Sequence, residues 1–346
     1  MDEYLGIGRL PFKMSAEAML DVAFWAQNQS SFQRAEDVIM RIRGLKVNDD
    51  TIRKVTDAVG RHIFLLDKER AADAMSRLDA GKLMFPESKK AGTLYLETDG
   101  AALNTRTKDN DGSTWKENKL GVAFSSDNIR YWTDAHGERQ HQVLKREYTS
   151  FIGSSAEFGA HMFALAIRNG YGLYGNTVIL SDGATWIRNM KNELFPDAQQ
   201  ILDYYHLCEN VCTYAKHVFS MAEADYRPWT NRICAMLKKG RYKEVLNELA
   251  GKKMPRAENS PVNLAAYIEN NRDNIDYPSY ERKGFFIGSG AIESANKTVL
   301  QKRLKQAGMR WNTATAQPLL TLIAKKESGL WACDVEAPIR DLYSGK

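Results

Sequence analysis

The segment TLYLETDGA, residues 93–101, contains the apolar run of residues 94–96 and then reaches an acid followed by glycine. This pattern predicts a buried β-strand with Asp99 at its carboxyl end. The segment TVILSDGA, residues 177–184, has the same form and places Asp182 after a second buried strand. A lone Asp-Gly after a strand is usually only a turn. Because open α/β sheets bind ligands at the carboxyl ends of their strands, two such acids are candidates for one site.

The segments around these two strands predict the rest of a sheet. Apolar runs at residues 120–124 and 129–132 predict two further strands, and residues 156–169 predict an amphipathic helix that stops at Gly170. A short helix at 185–194 and a strand at 200–203 complete the region. Three strands followed by helix, strand, helix and strand predict an α/β fold, with a mixed sheet and helices on its faces.

The chain divides into four regions by its pattern. Residues 1–90 are helical, and Asn48 is placed to cap a helix. Residues 91–206 contain the predicted sheet. Residues 207–283 return to helix, with a loop near residues 255–261. Residues 284–346 begin with glycines, continue as a basic helix over 292–306 that stops at Gly308, and end in a tail.

The N-terminal helical region contains one segment of uncertain role, VNDDTI at residues 47–52, which resembles the second half of a helix-turn-helix. The preceding helix-to-turn spacing is longer than in the usual tight motif. Two interpretations therefore stay open, a DNA-reading element and a plain helical bundle.

Composition sets the broad class of the protein. The 346 residues are 43% hydrophobic and 26% charged, which is typical of a globular protein of two or three structural units and excludes wholesale disorder. No run approaches the roughly 18 apolar residues of a membrane span. The N-terminal MDEY is acidic where a secretory signal is basic, and four cysteines are too few for a disulfide scaffold. We expect a soluble, cytoplasmic protein.

Positive charge is concentrated near the end of the chain. The net charge is only +5, yet residues 282–326 contain nine lysines or arginines and a single acid, Glu293. Such a local excess is typical of a surface that binds a polyanion. The alternative is an ordinary solvated helix surface.

Glu293, in GSGAIES at residues 288–294, is the third candidate acid. It has an ordinary interpretation, an i, i+4 ion pair with Lys297. It also fits a metal ligand at the start of a helix, because three carboxylates that meet at a sheet edge suit two Mg²⁺ ions. Two such ions activate a water or a 3′-hydroxyl and stabilise the leaving oxygen, so the protein needs no nucleophile of its own.

Four short strings resemble a known family. LSDGATWI (180–187), DYYH (203–206), GSGAIES (288–294) and GMRW (308–311) are similar, in this order, to strings in bacterial insertion-sequence transposases of the ISLre and ISKra groups. The two strand-end aspartates and the late helical glutamate resemble the DDE triad of these enzymes. The resemblance covers roughly residues 30–326. It implies an RNase H-like mixed sheet with flanking helices, an all-α N-terminal region and an all-α insertion before the glutamate.

The resemblance also implies a function and a site. Asp99, Asp182 and Glu293 would be the catalytic residues and the ligands of two Mg²⁺ or Mn²⁺ ions, supported by Asp203 and His206. The reaction would be cleavage of DNA strands at the ends of an insertion sequence and their transfer to target DNA. The partners would be double-stranded DNA and another copy of the chain, in a dimer or higher oligomer. The residues expected to contact phosphates are Lys297, Lys302, Arg303, Lys305 and Arg310.

Three alternatives remain beside this interpretation. A non-catalytic DNA-binding protein derived from a transposase would have no need of the three acids. A stand-alone nuclease would use the same metal site without strand transfer. A zinc site at His206, Cys208, Cys212 and His217 has suitable ligand types, but positions on one continuous helix would not converge on a single ion; buried thiols are the other explanation.

Overall fold

A computed structural model describes residues 11–108, 112–219, 222–251 and 260–344. Within these ranges no helix has the length and apolar character needed to cross a membrane. The strands are β1 (Lys90–Asn104), β2 (Trp115–Ser125), β3 (Ile129–Thr133), β4 (Arg139–Val143), β5 (Glu147–Ile152), β6 (Tyr174–Ser181) and β7 (Gln199–Leu202). The helices are α1 (Ala16–Asn28), α2 (Phe32–Arg43), α3 (Asp49–Asp79), α4 (Ser155–Arg168), α5 (Thr185–Leu194), α6 (Tyr204–Val218), α7 (Glu223–Lys238), α8 (Tyr242–Gly251), α9 (Leu264–Asn270), α10 (Tyr277–Arg282), α11 (Gly290–Ala295), α12 (Lys302–Leu304), α13 (Thr313–Glu327) and α14 (Ala337–Tyr343).

The main sheet has five strands in the order β5–β2–β1–β6–β7. Strands β2 and β5 pair antiparallel, whereas β6 and β7 pair parallel, so the sheet is mixed. The α/β class predicted from the sequence is therefore confirmed. The chain forms two compact units: unit 1 contains residues 1–90, 99–173 and 291–346, and unit 2 contains residues 91–98 and 174–290.

The strand predicted at residues 129–132 does not belong to the main sheet. It forms β3, which pairs only with β4 in a separate two-stranded hairpin. Four of its five residues are exposed, because both faces of an isolated hairpin meet solvent. The third strand of the sheet in this part of the chain is β5, which the sequence pattern did not indicate.

Asp99 lies within its strand and not at the carboxyl end, which corrects the prediction. Strand β1 continues past Asp99 to Asn104, since Leu103 is buried and the backbone goes on pairing. A side chain at residue 100 would overlap the carboxylate of Glu117 on the neighbouring β2. The half-exposed side chain of Glu117 is flexible and can move aside, so this contact alone does not require glycine at position 100.

The N-terminal helices and the C-terminal helices of unit 1 share one core. The predicted cap is present, because the side chain of Asn48 accepts a hydrogen bond from the backbone N–H of Thr51 at 2.8 Å. The residues expected to form a C-terminal tail fold as α14 and the segment before it, and pack into this core. The central buried residues are Met19, Leu20, Val22, Ala23, Ala35, Ile39, Ile52, Val55, Val59, Ile63, Leu322, Val335 and Ile339.

Unit 2 combines residues 91–98 of β1 with β6, β7 and helices α5–α10. The predicted helix at 185–194 coincides with α5, and β6 ends at Ser181, directly before Asp182. The helical region 207–283 is present as α6–α10. Most of the loop predicted near residues 255–261 lies outside the described residues.

The predicted basic helix begins earlier and is less regular than expected. It starts at Gly290 with α11, passes through a π-helical segment at Asn296–Gln301, and ends with α12 at Leu304. A π-helical turn widens the helix and shifts its side chains relative to regular α-helical positions, and such turns occur frequently at functional sites.

Candidate active site

Asp99 and the helix that carries Glu293 are joined by a hydrogen bond within unit 1. The side-chain amide Nδ2 of Asn296 donates to Oδ2 of Asp99 at 2.7 Å. The other oxygen, Oδ1, accepts the backbone N–H of Gly100 at 2.8 Å. These two donors orient the carboxylate.

Glu293 precedes Asn296 by three residues on the same continuous helix, so the two side chains are neighbours on its surface. Glu293 is exposed and makes no hydrogen bond or ion pair to any described residue. The ion pair with Lys297 that the spacing allows is not formed. The structure therefore brings the helix of Glu293 next to Asp99 and leaves the glutamate available for a ligand.

Asn296 has an unsatisfied acceptor beside Asp99. The residue is only 7% exposed, and its Oδ1 atom has no hydrogen-bond partner among the residues that the structure describes. A buried carbonyl oxygen without a partner is costly, at about 1–3 kcal/mol. Carboxylate and amide oxygens are the ligands that Mg²⁺ prefers, so Asp99 and the adjacent amide of Asn296 have donor types that suit this ion.

Asn296 and Glu117 were missed by the sequence analysis. Glu117 lies on β2 against Gly100, with its side chain 46% exposed and Lys119 Nζ 2.6 Å from its Oε2. Nothing in the sequence around Glu117 distinguishes it from other surface acids. For Asn296, a signal was present: an amide at the third position after the only acid of a basic segment.

Asp182 directly follows β6 in unit 2 and forms a tight turn. Its Oδ1 accepts the backbone N–H of Ala184 at 2.9 Å, and its backbone carbonyl accepts the hydroxyl of Tyr267 at 2.6 Å. Burial, together with the charge of Asp182, raises the pKa of Tyr267, which stays a donor. Gly183 has φ +85°, and a Cβ there would stand 2.7 Å from Oδ1 of Asn271. Asp182 makes no ion pair in the described chain.

Asp203 is a buried anchor in unit 2. It is 2% exposed, and its Oδ1 accepts the backbone N–H groups of Tyr205 at 2.6 Å and His206 at 3.1 Å, which caps α6. Its Oδ2 accepts the backbone N–H of Ser289 at 2.8 Å and also the hydroxyl of Ser289. Asp203 thus holds the glycine-rich segment that immediately precedes α11.

His206 lies on α6, where its partner is an acid of the same helix. Its Nδ1 is 3.5 Å from Oε2 of Glu209. The cysteines at 208 and 212 are free thiols, and both lie with His206 on the single helix α6. Across the described ranges, no group of three or more His, Cys, Asp or Glu side chains is arranged to hold a metal ion.

The basic residues expected to contact DNA divide into two kinds. Lys297, Lys302, Lys305 and Arg310 are exposed, as a phosphate contact requires. Arg303 is only 3% exposed and does not meet this requirement for a direct phosphate contact. Its Nη1 donates to the backbone carbonyl of Ser30 at 3.1 Å, because this side of α12 packs against the N-terminal helices.

Comparisons with known proteins do not add a family assignment. No protein-family model matches the chain, and no curated protein matches it.

Proposed function

We propose that this protein is a DDE-type transposase with an RNase H-like catalytic domain, which cleaves DNA at the ends of an insertion sequence and joins the strands to target DNA. The observation that supports this most is the hydrogen bond between Asn296 and Asp99. This bond joins β1, which contains Asp99, to the helix that contains Glu293, although the two elements are far apart in the sequence.

The proposed catalytic and metal-binding residues are Asp99, Asp182 and Glu293, with two Mg²⁺ or Mn²⁺ ions as cofactors. Bound ions of this type activate the attacking hydroxyl or water and stabilise the leaving oxygen. The buried Oδ1 of Asn296 adds an oxygen donor of the kind that these ions prefer.

The remaining residues would position these acids and the DNA. Asn296 and the backbone of Gly100 orient the carboxylate of Asp99, and Tyr267 fixes the turn at Asp182. Asp203 secures the segment that leads into the helix of Glu293. Exposed lysines on that helix would bind phosphates of double-stranded DNA. A second copy of the chain would bring the other element end.

The test is a cleavage and strand-transfer assay with Mg²⁺ on a plasmid that carries the DNA flanking the gene. Asp99→Asn, Asp182→Asn and Glu293→Gln each remove a charge and keep the size of the side chain. Each should lower cleavage by orders of magnitude, because no protein nucleophile replaces the ions. The matched control is Asp273→Asn, whose side chain is 91% exposed and far from these acids in the sequence.

The outcomes separate the alternatives. Cleavage by all three variants at the rate of the control would refute the triad. Cleavage without joined products would identify a nuclease, and DNA binding without any cleavage would identify a non-catalytic DNA-binding protein.

A further inference from the structure

Unit 1 contains an open cleft of about 650 Å³ that the triad does not use. Its walls come from the start of α2, from α3, from the segment after β1 and from the GMRW segment at residues 308–311. Four arginines line it, and none of the described residues that line it is an aspartate or glutamate. The four are Arg53, Arg106, Arg303 and Arg310.

Backbone pairing fixes the positions of two of these arginines. The N–H of Trp311 donates to the carbonyl of Asn104 at 3.0 Å, and the N–H of Arg106 donates to the carbonyl of Trp311 at 2.8 Å. In addition, Nε of Arg106 donates to the carbonyl of Arg310 at 3.3 Å. The GMRW segment therefore runs beside the end of β1 and sets Arg106 and Arg310, both exposed, close to each other.

Arg303 is the most unusual residue of the cleft. Its guanidinium carbon lies 4.7 Å from the ring centre of Phe32 and 5.3 Å from that of Trp311. Its Nε and Nη2 atoms are buried and have no hydrogen-bond partner in the described chain. Burial lowers the pKa of Arg303 to about 10, so the side chain is still a cation at neutral pH.

Three of the four arginines of the cleft have no counter-ion among the described residues. Arg53 pairs with Asp50 at 2.7 Å, whereas Arg106, Arg303 and Arg310 form no ion pair with any described residue. Guanidinium groups bind phosphate through paired N–H donors, and a cation held in a desolvated position favours an anion strongly. Ser31 and Thr315 on the same walls offer hydroxyl groups for further contacts.

We propose that this cleft binds the phosphodiester backbone of a DNA strand, with the exposed Arg106 and Arg310 as its phosphate contacts and the buried Arg303 as a cation that adds to the positive potential of the cleft. The inference rests on the proposed function only in taking DNA as the polyanion. A strand fits better than a small anion, because the cleft is open and its arginines line several walls. The rings of Phe32 and Trp311 pack against the guanidinium of Arg303, so we assign them to holding Arg303 in place and not to stacking on a base.

The test measures binding in EDTA, so that it does not depend on cleavage. A fluorescent 20-base-pair duplex is titrated at several salt concentrations with wild type and with Arg106→Gln/Arg310→Gln. The double variant should bind about tenfold more weakly and flatten the log–log salt slope by roughly 1–2. The matched control is Arg77→Gln/Lys82→Gln, which removes the same charge from exposed positions of unit 1 outside the cleft.

A second variant separates binding from folding. Arg303→Met keeps the apolar stem of the side chain and removes a buried charge that has no counter-ion, together with the hydrogen bond to the carbonyl of Ser30. Its melting temperature should stay the same or rise, while its DNA affinity should fall about tenfold. A lower melting temperature with unchanged affinity would show that Arg303 is a structural residue and would overturn its role in the cleft.

The remaining outcomes distinguish this cleft from the proposed catalysis. If the Arg106→Gln/Arg310→Gln variant binds DNA like the control while wild type cleaves DNA, the cleft proposal alone fails. If binding depends on these arginines but no protein cleaves, the catalytic proposal alone fails. Competition by a deoxynucleoside monophosphate as effective as that by the duplex would indicate a nucleotide pocket and overturn the proposal.

Discussion

The carboxylate of Asp203 accepts both the backbone N–H and the hydroxyl of Ser289, 86 positions later in the chain. The same carboxylate also caps α6 and is buried. These four hydrogen bonds all lie within unit 2. Ser289 belongs to the GSGAIES segment that contains Glu293. The DYYH and GSGAIES strings, which are separate in the sequence, are thus physically connected through Asp203.

Asp203→Asn should destabilise unit 2. Asparagine keeps the size of the side chain, but its NH₂ group would face N–H and O–H donors where Asp203 offers an acceptor. We expect a loss of about 2–3 kcal/mol in the free energy of unfolding, measured with urea. Asp273→Asn, at an exposed position, is the control and should change the free energy of unfolding by less than about 0.5 kcal/mol. Equal stability of the two variants would show that the Asp203 contacts contribute little.

Asn296→Asp tests for a divalent cation at Asp99. The variant places a second carboxylate against Asp99, so repulsion should lower the melting temperature in EDTA. Mg²⁺ should raise that temperature more in the variant than in wild type, because an added oxygen anion strengthens cation binding. A stabilisation by Mg²⁺ no larger than that of wild type would argue against a cation beside Asp99.

Replacing the exposed Lys302 and Lys305 with alanine should weaken DNA binding equally for all sequences. Each lysine lost removes about one phosphate contact, so the log–log salt slope should flatten by roughly 1–2. Arg303 is left unchanged, because it is buried. Lys82→Ala/Lys89→Ala, in the exposed loop before β1, is the control. If the salt slope of the Lys302→Ala/Lys305→Ala variant matches that of this control, the helix surface does not contact DNA.

His161 should make the stability depend on pH. Burial holds its pKa below the usual 6.5, and the nearby Lys325 acts in the same direction while Asp67 opposes it. Its ring stacks on Phe64, with the centres 6.0 Å apart. Because the unfolded chain takes up the proton more readily, stability should fall as the pH drops through 6.5 and continue to fall down to the pKa of the folded state.

His161→Phe removes this titration and preserves the ring contacts. The variant should lose less stability than wild type between pH 7 and pH 5, measured by urea unfolding. His136→Gln, at an exposed turn, should show the same change of the free energy of unfolding with pH as wild type. If His161→Phe shows the same pH dependence of the free energy of unfolding as wild type, another group causes that dependence.

Local features of the fold could be predicted where neighbouring residues carry the signal. The limits of α5, the cap at Asn48 and the end of β6 before Asp182 all depend on residues within a few positions. Apolar periodicity and capping residues act over one helical turn or a short strand. These elements were therefore predicted correctly.

Strand β5 could not be predicted in this way. Glu147 and Ser150 are buried in it although they are polar, because their partners are supplied by distant segments. Glu147 pairs with Arg168 at 2.9 Å, and Ser150 donates to Asn118 at 2.8 Å. Because these buried residues are polar, the local sequence lacks the apolar pattern that indicates a buried strand.

The sequence by itself determined which chemical groups are available: two aspartates that follow apolar runs, and a basic segment that contains the third acid, Glu293. The tertiary structure alone decided that Asn296 orients Asp99, that Asp203 secures the segment before Glu293, and that Arg303 is buried in a cleft while its neighbouring lysines meet solvent. The physical reason is that charge and residue type belong to each position, whereas hydrogen-bond partners and burial depend on which distant segments pack against it.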